Sequence, residues 1–162
     1  MSLQKKAVFF ILLQLVVLTT DAQSVKSVKA ISVDIGWANN SVNTVVFRKN
    51  SLCTYKNTQY ISFYNQEGFV VIGKRKLGSK NWKLQTTNLK GKVTDAHNSI
   101  SMIVDGDGYL HLAWDHHNNQ LHYAKSRLPG SLQLTDEMPM TGQLEKNVTY
   151  PEFYSMPNGS LL

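Results

Sequence analysis

The sequence predicts an all-β protein, a β-propeller built of four-stranded antiparallel blades of which only the first two to three are present. Three observations carry that expectation. Past residue 23 no segment keeps a helical period over three turns, and short runs rich in β-branched and aromatic residues alternate with turn residues instead. The strand–turn–strand order is similar from one unit to the next. Gly68, Gly108 and Gly159 mark the matching turns, 40 and 51 residues apart, a spacing of the kind blades show. A β-sandwich also has regular short strands, but the repeated order favours the propeller.

Taken in order, the chain opens with an address. Lys5 and Lys6 precede an apolar run, Ala7–Leu18, interrupted only by Gln14, and Thr20 and Ala22 supply small residues before a cleavage point. The run is shorter than the roughly 20 residues a membrane span needs. Residues 1–22 are therefore expected to be a secretory signal peptide, and residues 23–162 the N-terminal portion of a propeller domain. This places the protein outside the cell, with no membrane attachment after cleavage. Sequons at Asn39, Asn147 and Asn158 fit export. The single cysteine, Cys53, excludes a disulfide within the chain and reads as a buried, inert thiol.

Strands are expected at Ala30–Val33 and Val42–Phe47. The first repeat unit follows: Tyr60–Tyr64, a turn at Gln66-Glu67-Gly68, Phe69–Lys76, a turn at Gly78–Asn81, and Trp82–Thr86. The second runs Ile100–Val104, a turn at Asp105–Gly108, Tyr109–Asp115, a turn at Asn118-Asn119, and Gln120–Lys125. A third starts at Tyr150–Tyr154, turns at Pro157-Asn158-Gly159, and reaches Leu161-Leu162. Propellers typically have 4–8 blades, so the sequence reads as the first part of a longer protein. Open sheet edges would then make it prone to aggregation or dependent on a partner.

Composition narrows the partners. Hydrophobic residues make up 42% of the chain, which excludes a disordered protein. Lys and Arg number 17 against 11 Asp and Glu, and the densest basic run is Lys74-Arg75-Lys76 on a predicted strand. That run is either a solvated edge or an attractor for an acidic polysaccharide. Nucleic acid is not expected for an exported chain that lacks a recognised motif.

All five histidines fall between His97 and His122. A hairpin of Ile100–Val104 with Tyr109–Asp115, turning at Gly106-Asp107 or Asp107-Gly108, extends backwards to put His97 opposite residue 116 or 118. The next hairpin, turning at Asn118-Asn119, pairs Asp115 with His122 and Trp114 with Tyr123. Direct partners have Cβ atoms about 4.5–5.5 Å apart, so three imidazoles and two carboxylates, Asp95 and Asp115, converge near one rim. A solvated polar rim, a metal site on His97, His116 and His117, and acid–base catalysis all remain open. No tight metal-ligand spacing is present, so neither a metal nor a cofactor is assigned. His111 reads as a structural histidine, and His122 as packing against or bonding Asp115. Asp105 and Asp107 read as turn-shaping residues.

Asp95-Ala96-His97-Asn98-Ser99-Ile100, followed by Asp107-Gly108-Tyr109-Leu110-His111-Leu112-Ala113-Trp114-Asp115-His116-His117, resembles the BNR-repeat-containing family, which includes propeller polysaccharide lyases of the ulvan lyase type. So do the segments running from Trp37 to Arg48 and from Val148 to Phe153. The resemblance implies a multi-bladed propeller and a catalytic set of His97, His117 and Tyr150, with an arginine that would fall just beyond Leu162. His116 competes for the His117 role, since strict alternation turns only one of the two to the substrate. Asn98, His116, Asn43 and Arg48 are carried over as substrate-binding residues. The implied chemistry is β-elimination in a uronate-containing acidic polysaccharide. Residues 23–162 alone are expected to have weak or no activity. Two other readings stay open: a glycoside hydrolase using Asp95 and Asp115 as paired carboxylates, and a non-catalytic carbohydrate-binding propeller.

Overall fold

A computed structural model describes residues 27–44 and 50–162. The expected signal peptide and Arg48 lie outside these residues, as does most of the expected strand Val42–Phe47. The chain divides into two compact units, Met1–Ser32 and Val33–Leu162. The described part of the first, residues 27–32, has no regular secondary structure. The expected strand Ala30–Val33 is therefore not formed; β-branched residues there find no partner strand among the described residues. Val42–Thr44 belong to a turn closed by the Thr44 amide on the Ser41 carbonyl (2.8 Å).

The second unit is all-β and antiparallel throughout, as the alternating sequence requires. Its first sheet is a four-stranded meander in the order β1-β2-β3-β4: β1 (Leu52–Tyr55), β2 (Thr58–Tyr64), β3 (Phe69–Lys76) and β4 (Lys83–Lys90). Alternation is clearest in β2, which buries Tyr60, Ser62 and Tyr64. β3 is central and buries every residue from Val70 to Gly73, reading as a continuous apolar run. β1 went unpredicted because its turn, Lys56-Asn57, carries no glycine; Lys56 itself takes φ +50°. β4 extends four residues past its expected end, beyond an irregularity opposite Val70. There the Thr87 hydroxyl donates to the Val70 carbonyl (2.8 Å).

The second sheet has the order β5-β6-β8: β5 (Ser101–Val104), β6 (Leu110–Ala113) and β8 (Tyr123–Lys125). A separate pair joins β7 (His117–Asn119) to β9 (Val148–Thr149). Both expected registers are corrected by one residue. Met102 faces Leu112, which places Gly106-Asp107-Gly108 in a three-residue loop rather than a two-residue turn. Ala113 faces Tyr123, so Trp114 lies beside His122. Asn118-Asn119 is not a hairpin turn, because β7 leaves the sheet to pair with β9. Tyr150–Tyr154 forms no strand; the third turn is held by paired bonds between Tyr154 and Leu162 (2.9 Å each).

The three repeated glycines share one conformation, φ +82°, +93° and +84° at Gly68, Gly108 and Gly159. In the first two turns an Asx side chain caps the loop. Asn65 Oδ1 accepts from the Glu67 and Phe69 amides, and Asp105 Oδ1 from the Asp107 and Tyr109 amides. The repeat read from spacing is thus a repeat of backbone geometry. One core, with Tyr64, Ile72, Leu110, Leu112 and Trp114 at its centre, joins the two sheets. Tyr64 is fully buried, and its hydroxyl donates to the Asn98 carbonyl (2.7 Å), tying the first sheet to the loop that carries His97. Burial first, then the nearby charge of Asp115, push that phenol far above its ordinary range, so it stays a donor. Cys53 is half-buried and unpaired, and burial pushes its thiol up to about 11.

Candidate active site

Two loops at one end of the second sheet build the site. The first, after β4, is shaped by Asp95: its Oδ1 accepts from the His97 amide (3.0 Å), an Asx turn that lifts His97 outward. The second runs from β6 to β7. Here Asp115 takes φ +65° and breaks strand alternation, and Asn119 holds the loop closed by donating to the Asp115 carbonyl (2.8 Å). The Asp115 carboxylate itself accepts from the Lys92 amide (2.6 Å), binding the two loops together.

The geometry around Asp95 is specific. Its Oδ1 lies 2.6 Å from His97 Nδ1 and its Oδ2 lies 2.7 Å from His117 Nδ1. The His117 bond, followed by the His97 amide, holds this carboxyl well below the usual carboxylate range. An ionised carboxylate only accepts, so both Nδ1 atoms carry the proton. In each neutral ring the lone pair then sits on Nε2. The ring centroids are 4.4 Å apart, and the side chains are 50% and 47% exposed.

Tyr150 completes the group. His117 faces Thr149 across the β7–β9 pair, and the Asn118 amide donates to Thr149 Oγ1 (2.8 Å). The next residue, Tyr150, therefore projects beside the histidines. Its ring centroid is 5.9 Å from that of His97 and 6.5 Å from that of His117, stacked on the latter at 14°. Tyr150 holds φ +58°, uncommon for a bulky residue, and Asn118 holds +62°. Three of the backbone's left-handed non-glycine residues, Asp115, Asn118 and Tyr150, thus surround one site.

The structure brings His97, His117 and Tyr150 together and leaves other expected site residues elsewhere. His116, carried over as substrate-binding, is only 1% exposed. Its Nε2 accepts from the His122 amide (2.8 Å), its Nδ1 has no partner among the described residues, and burial pulls its pKa down to about 4. The left-handed Asp115 just before it sets which of the adjacent histidines turns outward. Asn43 is a clamp: its amide donates to the Trp37 and Tyr64 carbonyls and accepts from the Tyr64 amide. Its amide nitrogen and oxygen are both engaged by backbone groups. Asn98 is buried, donating to the Lys92 carbonyl (3.1 Å). His122 does not bond Asp115. It pairs with Glu137 (2.9 Å) and packs against Trp114.

Sequence reasoning missed Thr149 and Asn119 as positioning residues, because only the β7–β9 pairing gives them a part. Asp95, His97 and His117 also offer ligand atoms within 4.8 Å of one another, the span of a metal site.

The family model described as a BNR repeat-containing family member matches residues 58–162, more than half of the sequence. The chain belongs to this family. No curated protein matches it. Among solved structures, a polysaccharide lyase described as PL25 ulvan lyase resembles this BNR chain with a TM-score of 0.62 at 17% identity, covering 74% of it and 32% of the lyase. Another, ulvan lyase bound to -[GlcA(1-4)Rha3S]-, gives a TM-score of 0.64 at 16% identity, covering 79% and 33%. The likeness shows a shared fold, and the BNR chain spans about a third of the length of these lyases.

Proposed function

We propose that this BNR family chain carries the acid–base residues of an exported lyase that cleaves uronate-containing acidic polysaccharide by β-elimination, on a propeller that includes the described sheets. The observation that carries the reading is the single Asp95 carboxylate bonded to two imidazoles, with Tyr150 alongside. Two positive rings so close repel, and one carboxylate balances only one of them. The pair therefore works as one imidazolium and one neutral imidazole. The imidazolium Nε2–H donates to the uronate carboxylate and makes the adjacent proton more acidic. The neutral Nε2 takes that proton. The electrons of the broken C–H bond form the C4–C5 double bond, the C4–O bond breaks, and the Tyr150 hydroxyl gives its proton to the departing oxygen.

A hydrolase needs two carboxylates free to act on the glycosidic bond. Asp95 is occupied by two histidines and Asp115 by the Lys92 amide, so the elimination reading is preferred. The likeness to ulvan lyases supports the polymer class, and the apolar run with its basic flank supports export. The deciding experiment digests a uronate polysaccharide with the whole protein and characterises the new ends. Unsaturated uronate ends are expected. Saturated reducing ends would overturn elimination, and binding without cleavage would leave a carbohydrate-binding protein.

A further inference from the structure

Among the described residues, His111 meets Asp105 and His122 meets Glu137 one to one, whereas Asp95 takes two imidazoles, those of His97 and His117. Two imidazole nitrogens and one carboxylate are a donor set of the kind that holds catalytic zinc. Calcium and magnesium prefer oxygen throughout, so the mixture selects a borderline metal. The geometry is close to that of a bound ion. In a tetrahedral site with bonds of about 2.0–2.2 Å, neighbouring donor atoms lie about 3.3 Å apart. Here His97 Nδ1 is 2.6 Å from Asp95 Oδ1 and His117 Nδ1 is 2.7 Å from Oδ2, and donor atoms of all three residues lie within 4.8 Å of one another. Opening each hydrogen bond by about 0.6–0.7 Å admits an ion in place of the two bridging protons. The rings are half-exposed, so their turning meets little packing. The backbone beneath them is fixed. The His97 amide donates to Asp95 Oδ1 (3.0 Å), and the Lys92 amide on the Asp115 carboxylate (2.6 Å) ties the two loops together. A ligand carboxylate that is itself hydrogen-bonded is the outer support a metal site needs. Asp95 is also held ionised, as a ligand must be.

We propose that Asp95, His97 and His117 form a zinc-class metal site, with the ion on the two Nδ1 atoms and the Asp95 carboxylate and a fourth position open to solvent. Binding displaces both Nδ1 protons. The neutral ring takes up a proton at Nε2 in exchange for its own, and the imidazolium gives its extra proton to solvent. Both Nε2 atoms then carry hydrogen, and no imidazole lone pair faces an incoming molecule. The metal therefore silences the base of the pair. Occupancy by the metal stands on the donor geometry alone; the loss of turnover that follows from it rests on the elimination reading.

The test strips the intact chain with a chelator and titrates it with cobalt(II), then with zinc. One equivalent of cobalt binds with the intense visible absorption of a four-coordinate site, and zinc displaces it. Magnesium and calcium at the same concentration do not. Asp95→Asn and His97→Ala each weaken zinc binding about a hundred-fold or more. His122→Ala, which breaks the Glu137 contact and leaves Asp95 untouched, changes nothing. The His97 side chain is half-exposed, so its truncation raises no folding question, and an unchanged melting temperature checks this. On uronate polysaccharide the initial rate falls in step with zinc occupancy, and the chelator restores it. Failure to bind one equivalent overturns the site, and so does binding that Asp95→Asn and His97→Ala leave intact. Full turnover at saturating zinc overturns the inhibition. A chain without turnover under any condition sinks the elimination reading instead, and the cobalt spectrum and zinc isotherm still decide the site.

Discussion

Two carboxylate–histidine systems sit at opposite ends of the β5–β6 hairpin, and they differ in what is left over. At the turn end, Tyr123 donates to His111 Nδ1 (2.7 Å) and His111 Nε2 meets Asp105 Oδ2 (3.0 Å). Burial works to raise the Asp105 carboxyl, but the bonds from His111 and from the Tyr109 amide bring it below its ordinary value. Both ring nitrogens are spent, and the side chain is 14% exposed. At the other end, one carboxylate serves two half-exposed rings and each keeps its Nε2 for an incoming molecule. The same residue types thus build a fastening in one place and a reactive surface in the other. What separates them is an unspent nitrogen on an open face.

The sharpest way to break this contrast is Asp95→Asn. The amide cannot accept from both Nδ1–H groups, so the rings lose the shared anchor that orients them. Turnover on uronate polysaccharide should fall by roughly a hundred- to ten-thousand-fold, with little change in melting temperature. Normal turnover in this variant would remove Asp95 from the mechanism.

His116 supplies the next largest effect, and it is one of stability. Its folded pKa of about 4 lies below the ordinary 6.5. Between those values the unfolded chain binds more protons than the folded one, so stability falls as pH drops from 6.5 towards 4. The loss should approach roughly 3 kcal/mol by pH 4. Denaturant titrations across that window measure it, and His116→Phe should flatten the slope. An unchanged slope would assign the pH dependence to another group.

His111→Ala leaves Tyr123 and Asp105 without their shared partner in a mostly buried setting, and should cost about 1–3 kcal/mol. It should leave the kinetics of the surviving folded protein unaltered, the reverse of Asp95→Asn. The mildest change is Thr149→Val. It removes the hydroxyl that accepts from the Asn118 amide, with an expected cost of about 1 kcal/mol. Turnover should fall with KM nearly unchanged, since Tyr150 loses its alignment while the histidines keep theirs. A rise in KM with constant kcat would instead place Thr149 in substrate binding.

Much of this was legible in the sequence, and the reasons differ by residue. β2, β3, β5 and β6 could be read because each is a β-rich run beside a turn that carries a left-handed glycine, Gly68 or Gly108. The one-residue register error in the β5–β6 hairpin came from Gly108: a three-residue loop and a two-residue turn leave nearly the same sequence trace. β7 and β9 were invisible because their pairing joins residues about thirty apart and neither strand is apolar. The convergence of His97 on His117 followed from the hairpin. The carboxylate that bridges them did not, since Asp95 and Asp115 both converge on that rim and register alone does not say which of them meets the rings. The clamp that Asn43 makes was not legible, because its partners, the Trp37 carbonyl and the Tyr64 backbone, are brought to it only by the fold.

The left-handed backbone at Asp115, Asn118 and Tyr150 sets a conflict for anyone selecting a sturdier version of this protein. Glycine at position 118 relieves the conformation, and screens for thermal tolerance should favour it. The asparagine side chain there is exposed, so such a screen registers no loss. The gain is drawn from the segment that holds Thr149, and through it Tyr150, in place. Durability and reactivity are therefore coupled through a handful of torsion angles, and selection for the first should erode the second before any catalytic side chain is touched.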